Sequence, residues 1–494
     1  MPQQKAIVIG AGLGGLAVSS LLARKGYKVT VYEKNESPGG KMQQLEAKGY
    51  RFDTGPSLFT MPFILENLFE ECGKSLSDYL TFSELEPLCR YFYKDGVIFD
   101  NYSDRNKTEA EIKRFAPHDA IAYSSFLDRS EEIYNKTADA FLFNPLYSLK
   151  DLKHLNVLNF LDIDAFSTVS DKVDDFVESD HLRSFFKRFT TYNGSSPYQA
   201  PATLNVIPHV ELNQGGYYVD GGLYQIAEAL HKLATDCGVE FKFGSKVAAI
   251  KVHQRKVDGI VLDDRSEISC DLLVANSDAT DTMLQLLPND ALTKRKKEKQ
   301  KSIEPSCSGF VLMLGCNKTW KVLKHHNIFF SDNYRKEFDD IFKSKTMPEN
   351  PTIYIANTSY SNPEHAPEGS SNLFILVNAP YVTDDQDWDL LNETYSEFLI
   401  DELEKRGLMG LRDSIKFSSI ITPEDFLKRY GSNRGSIYGT SSNSKFAAFL
   451  RPRNKIKGIK NLYMVGGSTH PGGGIPLVVQ SAFNAIDLLE RDSV

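Results

Sequence analysis

Three glycines near the N-terminus, Gly10, Gly12 and Gly15, stand at G-x-G-x-x-G spacing, and Glu33 follows at the end of the next apolar run. Each residue type has a mechanical use in holding a dinucleotide. Gly10 permits a tight turn, Gly12 lets the backbone approach a pyrophosphate, and Gly15 lets a helix lie close on a strand. The free N–H groups and positive dipole end of that helix attract phosphate. A carboxylate at Glu33 accepts hydrogen bonds from a ribose 2′-OH, which argues against a 2′-phosphorylated cofactor. A second glycine-rich stretch, Gly467-Ser-Thr-His-Pro-Gly-Gly-Gly474-Ile475-Pro476, lies at the far end of the chain. Its three consecutive glycines before Ile-Pro exceed what a helix cap needs, and they aim another helix N-terminus at an electron-rich group. The other reactive residue types form no pattern. Six scattered cysteines include no C-x-x-C pair and ten histidines no H-E-x-x-H, so neither a disulfide framework nor a metal centre is expected. His209 and Glu211 read first as satisfied structural polar residues and second as candidates for a direct chemical role, and no catalytic acid or base is assigned.

The elements that must position these residues are legible around them. Ala6 to Ile9 is a short apolar run suited to a strand buried on both faces. Leu16 to Ala23 continues as a helix ending near Gly26, and Val29 to Tyr32 is a second buried strand. A signal peptide or membrane anchor over Ala6 to Ala23 is rejected, because its glycines and serines make a poor spanning helix and no cleavage-like region follows. The same order of strand, glycine loop and helix recurs at the C-terminus, with Asn461 to Gly467 as the strand and Leu477 to Leu489 as the helix. Near residue 210 the nucleotide-type pattern returns. Gly215 to Gly222 leads into a helix from Leu223 to Ala234, and the strands Val239 to Phe243 and Lys246 to Val252 follow. Val257 to Leu262 is a hairpin partner, and Asp271 to Asn276 another buried strand.

Residues 61 to 190 change character, alternating helical patterns such as Phe63 to Glu70 with aromatic strands such as Cys89 to Tyr93. The apolar stretch Phe141 to Phe160 reads as an amphipathic helical pair interrupted at Pro145. It serves either as the core of a helical subdomain or as a surface that dips into a membrane. Residues 303 to 450 mix strands at 310–314, 352–356 and 373–378 with a helix near 391–405, which suggests a sheet-based second domain. Lys294 to Lys301 holds six basic residues in eight and reads first as a solvated face, second as a contact to anionic lipid heads. At 494 residues the chain can build two or three domains and a large core. A net charge of −8 gives no reason to expect a nucleic-acid partner, and the cysteine usage fits a cytoplasmic protein. The 31 Phe and 23 Tyr suggest an apolar aromatic lining somewhere in the fold.

Taken together, Val8-Ile-Gly-Ala-Gly-Leu-Gly-Gly15, Glu33-Lys-Asn-Glu-Ser-Pro-Gly-Gly-Lys41, Phe52-Asp-Thr-Gly-Pro56 and the C-terminal glycine loop make the chain resemble the bacterial phytoene-desaturase-type carotenoid desaturases. The wider relatives are the amine-oxidase-like flavoproteins. The resemblance covers nearly the whole chain and implies an α/β fold. In it, a Rossmann-type FAD-binding domain is built from segments 1–60, 210–285 and 456–494. A mixed-sheet substrate domain is inserted as 61–209, which carries a helical subdomain, and 286–455. It implies that Gly10, Gly12, Gly15 and Glu33 hold the ADP half of FAD, with Gly40 and Lys41 by the pyrophosphate. Lys41 stands where the wider superfamily often has arginine, so it keeps the charge without the bidentate fork. Gly55, Pro56 and Ser57 would face the flavin, and Val247 would pair its backbone with the adenine. Gly467, Gly474 and Ile475 would flank the ring system, where negative charge gathers on reduction, and Asn276 completes the set of cofactor residues.

The activity the resemblance implies is desaturation of a lipophilic carotenoid, by hydride transfer from an allylic CH₂ to the flavin and proton loss from the neighbouring carbon. The polyene delocalises the developing cation, so the protein supplies mainly orientation and water exclusion. Pro56-Ser-Leu-Phe-Thr-Met-Pro62 looks more like the 3,4-desaturases, which act on hydroxylated or monocyclic carotenoids, than the early phytoene desaturases. Carotenoid isomerases and ketolases share the scaffold. The implied partners are a membrane touched peripherally and oxygen or a quinone as electron acceptor. A soluble amine or amino-acid oxidase is the alternative from another class, and it would need polar anchors that the sequence does not display.

Overall fold

The computed structural model describes residues 3–144, 162–444 and 451–493. The expected helical pair from Phe141 to Phe160 therefore falls largely outside the described residues. The fold is α/β. Its organising element is a five-stranded, all-parallel sheet in the order Leu462–Met464, Leu272–Ala275, Lys5–Ile9, Lys28–Tyr32, Glu240–Lys242. Three well-separated stretches of chain supply these strands, and alternation along each strand explains its two buried faces. Ala6, Val8, Val29 and Val31 pack with the helices Leu13–Arg24, Tyr224–Asp236 and Ile475–Ser493. Ile7, Ile9, Leu273 and Ala275 pack instead against the antiparallel meander Val247–His253, Lys256–Leu262, Glu267–Ser269.

A second, seven-stranded mixed sheet runs Ile415–Ile421, Ser308–Cys316, Ser371–Ala379, Ile353–Asn357, His326–Phe329, Cys89–Phe92, Ile98–Asn101. Every pairing in it is antiparallel except that of His326–Phe329 with Cys89–Phe92. Phe310, Leu312 and Leu314 bury one face beneath the helix Trp388–Lys405, together with Leu399 and Leu403. Val311, Met313 and Phe374 on the opposite face pack with Tyr50 and Phe52. The helices Arg105–Lys113, Ala120–Ala138, Val169–Phe176 and Asp180–Lys187 form a helical layer beside this sheet. Among the described residues no helix is long and apolar enough to cross a membrane. The basic run is an exposed helix, Lys294–Lys301, with Thr293 as its N-cap.

Candidate functional site

The turn after the first strand is built from backbone packed on backbone. Gly10 takes φ +93° and its N–H donates to Tyr32 O at 2.8 Å. Gly12 is extended, so the helix begins at Leu13, earlier than the apolar periodicity suggests, and Gly14 and Gly15 lie inside its first turn. A Cβ on Gly15 would sit 2.1 Å from Gly10 O, and one on Gly12 2.7 Å from Asn276 Nδ2. The Asn276 side chain fills the space between this turn and Gly466, donating weakly to Gly10 O at 3.4 Å. Glu33 is buried; one carboxylate oxygen accepts from Ala11 N at 2.7 Å and the other from Asn35 N at 2.9 Å. The acid at the end of the second strand thus fixes the glycine turn as well as bordering the space beyond it.

A second glycine pair closes on the first. Gly39 N donates to Ala11 O at 2.8 Å, and a Cβ on Gly40 would come within 3.2 Å of Gly12 Cα. Lys41 is turned away from this contact. Its ammonium donates to Ser436 O at 3.0 Å and Ile437 O at 2.7 Å, and burial lowers its pKa to about 8. Gly55 is pressed on Lys41, so that a Cβ there would lie 2.3 Å from Lys41 O. Ser57 Oγ accepts from Tyr354 OH at 2.6 Å, and that phenol also meets His326 Nδ1 at 2.7 Å. Burial first, then the Arg188 charge, pushes His326 down to about 3, so the ring is neutral.

The C-terminal loop leaves the edge strand at Met464. Asn454 Nδ2 pins it through Met464 O at 3.1 Å and His470 O at 2.8 Å, and Arg451 Nη1 donates to Gly467 O at 3.2 Å. Gly474 adopts φ +101° with no atom within 4 Å of a Cβ position, and the helix Ile475–Ser493 starts immediately after it.

These pieces surround one cavity of about 1260 Å³, larger than the roughly 300–1,000 Å³ of a site for a single drug-sized ligand. Gly10, Gly12, Glu33, Gly40, Lys41, Gly55, Pro56, Ser57, Val247, Asn276, Gly467, Gly474 and Ile475 all border it. Gly15 does not, and serves the helix–strand contact instead. Away from the glycines the wall becomes apolar, with Leu58, Leu88, Leu204, Ile207, Val210 and Phe166 among its residues. Set into that wall is a buried ion pair that the sequence did not reveal. Arg188 Nη2 donates to Glu211 Oε1 at 2.6 Å and to Tyr91 OH at 2.6 Å, while Tyr192 OH donates to the other Glu211 oxygen. The guanidinium lies 4.0 Å from the centroid of Phe189. Burial alone would depress its pKa, but Glu211 and the surrounding phenols hold it well above the ordinary value. The available signal was Lys187-Arg188 within the aromatic run Phe185 to Tyr192, two cations where helical burial would forbid unpaired charge. His209 does not border the cavity and bonds Asn213 and Gln214 at 2.8 and 3.2 Å.

Known proteins resemble this arrangement at three levels. Residues 13–487 match the family described as flavin containing amine oxidoreductase. A Staphylococcus haemolyticus protein named 4,4′-diaponeurosporene oxygenase is 36% identical over 492 residues, covering 99% of this chain and 97% of that one. One of the same name from Staphylococcus aureus (strain MSSA476) is 36% identical over 486 residues, 97% of each chain. Among solved structures, cyclohexylamine oxidase from Brevibacterium oxydans IH-35A superposes with a TM-score of 0.63 at 15% identity over the full length of both chains. An oxidoreductase from Methanosarcina mazei gives 0.65 at 18% identity, covering 98% of this chain and 100% of the other. At such identities the structures speak for the fold alone.

Proposed function

The chain belongs to the flavin-containing amine oxidoreductases, and from that premise we propose that it oxidises a long carotenoid polyene lying in the apolar arm of the cavity. It is an FAD-dependent oxidoreductase. Bound FAD supplies a two-electron acceptor for a hydride from substrate carbon. The residues present fit that cofactor. At Gly12 and Gly40 side chains would fill the cradle, whereas around Gly474 the space before the helix N-terminus is open. In our reading segments 1–60, 210–285 and 456–494 form the FAD-binding unit, and 61–209 with 286–455 the substrate unit. Gly10, Gly12 and Glu33 hold the ADP half, Gly40 approaches the pyrophosphate, and Val247 lies by the adenine. Gly55, Pro56, Ser57, Gly467, Gly474 and Ile475 flank the isoalloxazine. Lys41, its ammonium held by the carbonyls of Ser436 and Ile437, adds positive charge to this region without forking onto phosphate.

The observation that carries the proposal is the single cavity joining the glycine cradle to an apolar wall. Such a wall orients a polyene by shape and excludes water, and it offers an ammonium little to hold it. The relatives' shared name favours oxygenation of the substrate. The stretch Pro56 to Pro62 favours a second reading, 3,4-desaturation. In our reading both begin with hydride removal to the flavin; water then adds to the cation and a proton leaves to give the oxygenated product, whereas proton loss from the neighbouring carbon gives the double bond. The partners we infer are the carotenoid, a membrane that stores it and oxygen or a quinone as final acceptor. The deciding experiment incubates the FAD-loaded protein anaerobically with 4,4′-diaponeurosporene and with a hydroxylated carotenoid in vesicles. Flavin bleaching by either supports the proposal, and product mass after aeration separates gain of oxygen from loss of two hydrogens. Bleaching by primary amines but by no carotenoid would overturn it.

A further inference from the structure

Among the described residues no carboxylate pairs with Arg451. The residue is only 9% exposed and borders the cavity, and its Nη1 donates to Gly467 O at 3.2 Å. Gly472 lies against the guanidinium, where a Cβ would approach Cζ to 3.3 Å. Burial is what lowers its pKa, to about 10, so it stays protonated at neutral pH. The other buried arginine of the cavity wall, Arg188, is neutralised directly by Glu211 at 2.6 Å. A buried charge left uncompensated costs several kcal/mol. The neighbouring His470 does not add to it, because burial holds that ring near a pKa of about 4. The loop gripped by Arg451 ends at Gly474, whose surroundings are open, and at the N-terminus of the 19-residue helix Ile475–Ser493. A full cationic charge and a helix dipole therefore act on the same stretch of cavity.

Resting on the reading of this cavity as the FAD site, we propose that Arg451 is the counter-charge for the negative charge that FAD gains on reduction. A hydride carries two electrons and one proton out of a substrate C–H bond, so the ring system that accepts it ends with one extra negative charge. That charge gathers on the N1–C2=O edge. A fixed guanidinium near it favours the reduced form without reorganising. Arg451 in this role acts on the cofactor's potential and is not a proton donor or acceptor for the substrate.

Sulfite reads this charge without carotenoid or turnover. It adds through its sulfur lone pair to flavin N5, forming an N–S bond, and pushes negative charge to the same edge. FAD content is measured first, on the full-length wild type, Arg451→Met and Arg451→Lys; sulfite titration and the two-electron midpoint potential follow. Arg451→Met should bind sulfite at least about tenfold more weakly, with a potential about 30 mV lower for each tenfold. Arg451→Lys should stay within about threefold of wild type, because it keeps the charge. Should Arg451→Met fail to retain FAD, Arg451→Gln, which can keep the bond to Gly467 O, is held to the same expectations. An uncharged variant that keeps FAD together with wild-type sulfite affinity and potential would overturn the inference, as would a flavin-loaded wild type that takes up no sulfite. A wild type unable to bind FAD would overturn the reading of the site itself.

Discussion

At Gly15 the helix Leu13–Arg24 touches the turn so closely that a methyl group would lie 2.1 Å from Gly10 O. Backbone is the obstacle, so helix or strand must move. Gly15→Ala should therefore weaken FAD binding at least about tenfold, or about 1.4 kcal/mol, as read from the ratio of flavin to protein absorbance after gel filtration. Gly474→Ala meets no atom within 4 Å and carries only the strain of φ +101°, about 1–3 kcal/mol. In our reading the ring fills the open space that the added methyl enters, so the variant should hold flavin more weakly, and wild-type flavin affinity in it would show that the ring does not lie before this helix. Glu337 offers a pH test. Burial raises its carboxyl to about 7, although Thr352 Oγ1 donates to it at 2.7 Å. The unfolded chain ionises near 4.3, so between the two values the folded state holds the extra proton. Stability contributed by this group is intact below the unfolded value and is lost as pH rises through about 7, by an amount of the order of 3 kcal/mol. Glu337→Gln should flatten that decline in urea midpoints, and an equally steep one in the variant would rule Glu337 out as its source. Such residues also mark how far sequence can be read. The glycine turn and Glu33 were legible because their partners lie within one strand–turn–helix. Arg188 meets Glu211 across another element, and Ser57 meets Tyr354 from a different sheet, so no local spacing announces them.

At the scale of elements, Asp53 shows how a signature stretch acquires a physical role. Phe52-Asp-Thr-Gly-Pro56 was legible only as a resemblance. In the fold Asp53 ends the strand Tyr50–Asp53 and its carboxylate receives Leu223 N and Tyr224 N, each at 3.0 Å, and Tyr218 OH at 3.1 Å. It thus caps the helix Tyr224–Asp236 from a segment far away in sequence, satisfying N–H groups that the helix itself cannot. The same carboxylate pairs with Arg51 at 3.0 Å, both side chains being largely buried. Asp53→Ala removes the cap and strands Arg51, a loss of about 3–5 kcal/mol for a broken buried pair. A clear drop in the urea midpoint of unfolding is expected, with flavin released at correspondingly lower urea. An unchanged midpoint would mean that water replaces the carboxylate at no cost. The strands and helices themselves were mostly legible from periodicity, because each buries a face of regular pattern. The parallel pairing of Cys89–Phe92 with His326–Phe329 was not, since no short-range feature ties two strands so far apart in the chain.

For the whole molecule, the proposed polyene substrate would have to reach a cavity in a protein whose described residues contain no spanning helix. The carotenoid we propose as substrate would partition into lipid, and on that proposal the cavity mouth is expected to meet a bilayer surface. Phe166 is 64% exposed and also borders the cavity, as do Phe141 and Leu142, which places an apolar rim where substrate would enter. The stretch 145–161 that joins these residues in sequence lies outside the described residues, so the test is directed at the rim. Inserting a Phe and a Leu side chain into lipid is worth about 1.5–3 kcal/mol each, and losing both should lower the partition coefficient by at least about a hundredfold. Phe166→Ser with Leu142→Ser should therefore abolish flotation with neutral vesicles while leaving the flavin spectrum in place. The exposed helix Lys294–Lys301 makes a different demand. Its lysines would bind only anionic vesicles, each by about 1 kcal/mol, and added salt would release the protein. Flotation with neutral vesicles that survives the rim double variant would move the contact away from Phe166. Binding confined to anionic vesicles and reversed by charge substitution at Lys294, Arg295 and Lys299 would assign it to the basic helix.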